Sequence, residues 1–303
     1  MYMTLVRKLV ELSVEKYAEQ NDLTKGQVLE KIREQIDATS AQHFQPKPNI
    51  NYKSTLCRVG YLYRHGPAQA TLFERTLRGS SLLQAKVRKA YGDNLNVVAV
   101  GGGPGTELLG LGKYLLDHEP KHPRRINFAV LDIIPHWAET WKMMAREVEA
   151  TLERRLRNTG NRVPAIAPMF HPLDVVDPDS YDDYDFLFDD ADIVVFNYIF
   201  SENKTQLDSA RRAVRHIWRK VPKGCVFVVI DRLEQNTTFQ SDVENLIKAA
   251  TGGVVPTIKT IGDTIDEAAD MGSLTRTLLN PRMKFFTPTY RNPTVFWCAF
   301  EKP

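Results

Sequence analysis

Three glycines at alternate positions, Gly101, Gly103 and Gly105, follow directly on the apolar run Val97-Val98-Ala99-Val100. Glycine reaches backbone angles closed to other residues and lets a ligand lie on the main chain itself. Thr106 and Glu107 then open an apolar-periodic stretch through Leu108, Leu109, Leu115 and Leu116. A buried strand, a glycine turn and a helix N-terminus form a corner whose free amides suit a nucleotide-sized ligand. A plain tight turn is the alternative. The dinucleotide fingerprint would want glycine at 106, where Thr106 stands. Downstream, Asp132 closes a second apolar run, either as a ligand acceptor or as the cap of a helix opened by Pro135-His136-Trp137. Eight aspartates crowd residues 177–192, but their irregular intervals, without a glycine-punctuated calcium loop, favour a solvated loop over a cation site. Arg211, Arg215 and Arg219 recur every four residues, with Arg212, His216 and Lys220 beside them. They form either a solvated helix face or a phosphate-binding stripe. The histidines and cysteines show no metal-ligand spacing, so no metal is expected.

Gly101-x-Gly103-x-Gly105 after a strand resembles motif I of the class I S-adenosylmethionine-dependent methyltransferases. That family often places an acidic residue two positions before the first glycine; here it is Ala99. The resemblance covers roughly residues 94–301. It implies an α/β fold: a doubly wound, seven-stranded, mostly parallel sheet with an antiparallel C-terminal strand, occupying residues 93–303 behind a helical N-terminal extension of residues 1–92. It also implies S-adenosylmethionine as cofactor, held at the turn by Gly101, Gly102, Gly103, Gly105 and Glu107. Asp132 would take both ribose hydroxyls, a charge-assisted pairing, with Ile133 over one face of the adenine. Asp174, with Val175 as ring neighbour, would read the adenine amino group. Asn197 and Tyr198, just past the fourth strand, would stand where cofactor meets acceptor, Asn197 contacting the cofactor as well. Glu202 is the candidate base for an acceptor that carries a proton. The Asn-Pro-Pro-aromatic run of nucleic-acid amino-methyltransferases is replaced by Asn197-Tyr198-Ile199-Phe200, so this segment does not name the acceptor.

The chain of 303 residues is 43% hydrophobic and 25% charged, an ordinary balance for a soluble globular protein. No apolar run approaches the ~18 residues a bilayer span needs, and the first eight residues turn charged too soon for a secretory signal. Cys57, Cys225 and Cys298 are odd in number and far apart, which suits reduced thiols in the cytoplasm or nucleus. Residues 1–93 hold 15 Lys/Arg against 9 Asp/Glu, a balance of +6 where the whole chain has +3. That asymmetry, with the basic helix over residues 211–220, favours RNA slightly as acceptor, with protein or a small molecule close behind. Two rivals remain: a non-catalytic protein that senses S-adenosylmethionine, and an NAD(P)-dependent oxidoreductase, which Thr106 and an antiparallel chain end disfavour.

The elements that must position these residues follow from periodicity. Leu5, Leu9, Leu12 and Tyr17 predict a helix over residues 4–20, and Thr24-x-x-Gln27 is a capping-box spacing before the stripe Val28, Leu29, Ile32 and Ile36. Residues 40–55 read as a linker. One basic amphipathic helix is expected after Pro67, through Phe73, Leu77, Leu82 and Val87. By the resemblance, Tyr61, Tyr63, Arg64 and His65 would line the pocket; aromatic packing at a domain junction explains them equally well. Strands are expected at 125–132, near 165–175, at 192–197 and at 225–231, with helices over 135–158 and 236–250. A short helix near 264–270 and a terminal pair of strands at 282–287 and 294–300 complete the reading.

Overall fold

The computed structural model describes residues 2–42, 50–157, 159–233, 238–261 and 295–303. These fall into two compact units divided between Thr71 and Leu72. The first contains α1 (Tyr2–Asn21), α2 (Lys25–Gln42) and the beginning of α3 (Thr55–Gly79). Leu5, Val6, Leu9, Val10, Val14 and Ala18 of α1 are buried, as are Val28, Ile32 and Ile36 of α2. The packed stripe of α1 steps in fours from Val6 to Ala18, and Leu12, expected on it, lies 38% exposed. The capping box forms reciprocally: Thr24 N donates to Gln27 Oε1 at 2.8 Å, and Gln27 N donates to Thr24 Oγ1 at 3.3 Å. A side chain at Gly60 would meet Ile36 Cγ1 at 2.8 Å, so glycine lets α3 approach α2 closely. Pro67 lies inside α3 rather than before it. Proline in a helix interior costs about 3 kcal/mol, and the buried Leu62, Tyr63 and Ala70 around it offset that cost. Residues 43–49 of the expected linker lie outside the described residues.

The second unit begins with the end of α3 and α4 (Ser81–Lys89). Ser80 splits what the sequence presents as one helix, its Oγ accepting from Leu83 N at 3.4 Å as an N-cap. There follow β1 (Asn94–Val100), α5 (Thr106–His118), β2 (Arg125–Asp132), α6 (Trp137–Leu156), β3 (Ala165–Pro172), α7 (Phe186–Asp189), β4 (Ile193–Asn197) and the one-turn α8 (Ile199–Glu202). The unit closes with α9 (Leu207–Lys220), β5 (Val226–Arg232), α10 (Thr238–Thr251), β6 (Lys259–Ile261) and β7 (Val295–Glu301). The strands form a seven-stranded sheet in the order β3-β2-β1-β4-β5-β7-β6. β1 to β5 run parallel, and β7 is antiparallel to both β5 and β6. This is the doubly wound sheet with an antiparallel end that the sequence implies. The expected strand at 282–287 and helix near 264–270 lie outside the described residues, and β6 arises in a stretch with no sequence-level assignment.

One sheet face carries Val98, Val100, Ala129, Leu131, Val194, Phe196 and Phe227 against Ala213, Ile217 and Trp218 of α9 and Val243 and Ile247 of α10. On the other, Trp141 of α6 packs on Phe128 with ring centroids 5.3 Å apart. Burial on both faces explains why β1, β4 and β5 read as continuous apolar runs. β3 tolerates Pro168 and Pro172 because it is an edge strand, pairing only with β2 and needing no donors on its outer side. After β1 the chain winds outward to β2 and β3, then returns to the other side of β1 with β4. The switch point of the sheet therefore lies between β1 and β4, and there the glycine turn leaves β1. Ligands of open α/β sheets bind at such points, beyond the carboxyl ends of the strands.

Candidate functional site

The turn between β1 and α5 depends on its glycines. Gly101, Gly103 and Gly105 hold φ of +66°, +48° and +77°, the left-handed region that side chains disfavour. Gly101 N and Gly102 N both donate to Leu131 O, at 2.7 and 3.3 Å, so the turn is laid against the end of β2. A Cβ at Gly105 would strike the ring of Trp141 at 2.1 Å, and one at Gly101 would lie 1.8 Å from Ile199 Cδ1. At Gly103 the nearest atoms, Trp137 Nε1 and Asp132 Oδ2, stand 3.7 and 3.8 Å away, which leaves its outer face open toward the Asp132 carboxylate.

Asp132 ends β2 beside that opening. Its Oδ2 accepts from Gly103 N at 3.0 Å and its Oδ1 from Ile134 N at 2.9 Å. The N-cap of α6 is His136, so Asp132 does not cap that helix. Desolvation pushes its carboxyl up to about 6, against the pull of the two amides. Ile133 follows with 57% of its surface exposed, unusual for isoleucine, in a position where a ligand could cover it. The β3 end joins from the side: Leu173 N donates to Asp132 O at 3.1 Å, and Val175 Cγ1 lies 3.9 Å from the point a Gly101 Cβ would occupy. Asp174 uses Oδ1 to accept from Val176 N at 3.1 Å.

Glu107, on the first turn of α5, is buried, and Asn197 Nδ2 donates to its Oε1 at 2.7 Å. Glu107 Oε2 and Asn197 Oδ1 are both buried without a partner. Buried polar atoms are rarely left so. Burial pushes the Glu107 carboxyl up to about 7; the Asn197 bond opposes this and the charge of Asp132 adds to it. Past Asn197 the chain turns at Tyr198, whose φ of +61° is an outlier for an aromatic residue. Arg232 lies over the Tyr198 ring at 5.3 Å. Glu202 ends α8 as an exposed residue, yet surrounding protein still desolvates its carboxyl and pushes it up to about 7. Arg232 lowers that value, and Asp231 and Asp132 raise it.

The structure thus joins Gly103 to Asp132 and Glu107 to Asn197 by hydrogen bonds and sets Val175 near Gly101, with Gly102 and Gly105 shaping the turn and Tyr198 and Glu202 on the neighbouring corner. Ile133 and Asp174 are placed there by adjacency in the chain. Sequence reasoning missed Asp231, Arg232 and Ile199. A carboxylate ending the apolar run of β5, as Asp132 ends β2, was the signal that could have found Asp231. Beyond burial, Asp132 raises both Glu107 and Glu202, and Asp231 raises Glu202 as well; carboxyls raised together in this way are a marker of a functional site.

The topology decides the architecture. The fold is a doubly wound, Rossmann-like α/β fold with an antiparallel chain end, as the resemblance implies. No family model matches the sequence, and no curated protein matches it. Among solved structures, the chain is 13% identical to the N-methyltransferase NodS from Bradyrhizobium japonicum WM9 in complex with S-adenosyl-L-homocysteine, covering 89% of this chain and 98% of that one at a TM-score of 0.39. It is 13% identical to an O-methyltransferase family protein from Burkholderia thailandensis over 82% of this chain and 60% of that one, TM-score 0.37. A S-adenosylmethionine-dependent methyltransferase from Clostridium acetobutylicum ATCC 824 is 9% identical over 77% of this chain and 97% of that one, TM-score 0.39. Likenesses of this strength say nothing about activity.

Elsewhere, several basic side chains of α9 have local partners. Arg211 pairs with Asp208 at 3.1 Å, Arg212 donates to Ser209 Oγ at 3.1 Å, and Arg215 donates to Ala249 O at 2.8 Å. His216 and Lys220 both reach Asp185. The acidic stretch is accordingly more than a solvated loop: Asp185 anchors α9, and Asp192 Oδ2 accepts from Asn96 N at 2.9 Å. No helix among the described residues is long and apolar enough to cross a membrane.

Proposed function

We propose that the chain is an S-adenosylmethionine-dependent methyltransferase. One observation carries the proposal: a left-handed glycine turn at the switch point of the sheet, open at Gly103 toward a carboxylate that ends the neighbouring strand. These acceptors suit a nucleoside with ribose hydroxyls and an amino group, linked to an amino acid that carries an ammonium. Asp132 would accept the ribose hydroxyls with the lone pairs its two amide bonds leave over. Ile133 and Val175 would cover the adenine, and Asp174 would accept from its amino group. The orphaned Glu107 Oε2 and Asn197 Oδ1 would take donors at the other end. When bound, S-adenosylmethionine supplies a methyl group activated by its sulfonium. The chain's own work is then alignment and exclusion of water. Asn197 and Tyr198 would orient the acceptor atom, and Glu202, with a carboxyl near 7, would take a proton from an acceptor that carries one.

For the acceptor we take RNA forward, held by the basic extension of residues 1–92; the +6 balance of residues 1–93 supports it. Arg211, Arg215 and Arg219 of α9 offer a second basic surface for a phosphate backbone. The test is incubation of the purified chain with S-adenosylmethionine labelled in its methyl group and separate pools of RNA, protein and small molecules. Label in RNA supports the full proposal. Label in another pool corrects the acceptor. Cofactor binding without transfer to any pool favours the sensor.

A further inference from the structure

We infer that Asp231, at the end of β5, is the positioning residue of the methyl-transfer corner, holding α8 and through it Tyr198, Ile199 and Glu202 against the glycine turn. The inference rests on the methyltransferase reading of that corner. Asp231 is fully buried, and a buried carboxylate persists only where donors surround it. It has three: Phe200 N and Ser201 N each donate to Oδ2 at 3.0 Å, and Arg232 N donates to Oδ1 at 2.7 Å. The first two are amides that a four-residue helix cannot satisfy within itself. Directly before them, Tyr198 N donates to Ile230 O at 2.8 Å, so β5 grips the chain on both sides of the turn.

That grip accounts for the backbone of Tyr198. A bulky residue stays at φ +61° and ψ +14° only where its surroundings over-determine it. Anchors at residues 198, 200 and 201 leave few other paths for the chain. The same anchors seat the Ile199 side chain on Gly101. A carboxylate on β5 thus fixes how the end of β4 meets the turn that leaves β1. Asp231 also acts by charge. Together with Asp132 of β2 it raises the protonation range of Glu202, against Arg232 of β5.

The test uses the full chain in three forms: wild type, Asp231→Ala and Asp231→Asn. Amide hydrogen exchange is followed at Phe200 and Ser201, with Val98 of β1 as the reference. Glu202 is titrated by carboxyl carbon NMR and assigned with Glu202→Gln, and S-adenosylmethionine is titrated calorimetrically alongside. Asp231→Ala should speed exchange at 200 and 201 at least tenfold relative to Val98 and weaken cofactor binding at least tenfold. Asp231→Asn keeps an oxygen for both α8 amides, at the expense of the bond from Arg232 N, and should recover part of the protection. Its Glu202 should titrate below the wild-type midpoint, because one like charge is gone. Should Asp231→Ala fail to fold, the asparagine variant carries the test through the Glu202 midpoint. Unchanged exchange at 200 and 201 in the alanine variant, or an unchanged Glu202 midpoint in the asparagine variant, overturns the inference. A wild type that ignores S-adenosylmethionine overturns the methyltransferase reading instead, while exchange and titration still decide the role of Asp231.

Discussion

Replacing Gly105 with alanine should destabilise the protein far more than replacing Gly103, although both hold positive φ, +77° and +48°. The left-handed conformation costs an alanine about 1–2 kcal/mol at either site. At Gly105 the new methyl would also lie 2.1 and 2.3 Å from Cε3 and Cζ3 of Trp141. That ring cannot swing aside: it is fully buried, packs on Phe128 and donates from Nε1 to Met169 O at 2.9 Å. Overpacking of this kind adds about 1–3 kcal/mol, for a total of about 2–5 kcal/mol at Gly105. At ~2–4 °C per kcal/mol for a unit of this size, the melting temperature should fall by roughly 4–20 °C. At Gly103 the nearest atoms are 3.7 Å away, so only the conformational cost applies. Its methyl would stand beside Asp132 Oδ2 and should cut affinity for S-adenosylmethionine at least tenfold. Calorimetric melting and ligand titration of both variants separate the roles. Equal stability of the two, or wild-type affinity in Gly103→Ala, would refute the reasoning.

Asp132→Ala should weaken S-adenosylmethionine binding by about 1.5–3 kcal/mol, the worth of a hydrogen bond to a charged group; unchanged affinity in the same titration would reduce Asp132 to a pin for Gly103 and Ile134. Glu107 gives a pH-dependent prediction. Its folded carboxyl is raised from 4.5 to about 7, so the folded state holds the proton more tightly and stability falls as pH rises between those values. Glu107→Gln keeps an acceptor for Asn197 without the charge. Denaturant melts should therefore find it equal to wild type near pH 4 and more stable by about 3 kcal/mol above pH 7, at 1.36 kcal/mol per unit; parallel profiles would contradict the burial argument.

Local signals carried the legible part of this chain. The apolar run of β1, the glycine spacing and the capping box at Thr24 and Gln27 are each complete within a few residues, and each forms where it was read. Where a neighbour decides the outcome, sequence reasoning slipped. Pro67 looks like a helix start, yet burial along α3 carries the helix through it. Ser80 looks like an ordinary helix residue, but its hydroxyl starts α4. Asp185 reads as one more solvated carboxylate until α9 brings His216 and Lys220 to it. The candidate site divides in the same way. Gly103 and Asp132 stand at motif positions, whereas the hold of Asp231 on α8 spans 31 residues and exists only once β4 and β5 lie side by side.

The most direct test of the central claim is calorimetric titration of the full chain with S-adenosylmethionine, S-adenosylhomocysteine and NADH. The site described here predicts micromolar binding of the first two and none of NADH. Binding of NADH with silence toward both sulfur nucleosides would contradict it.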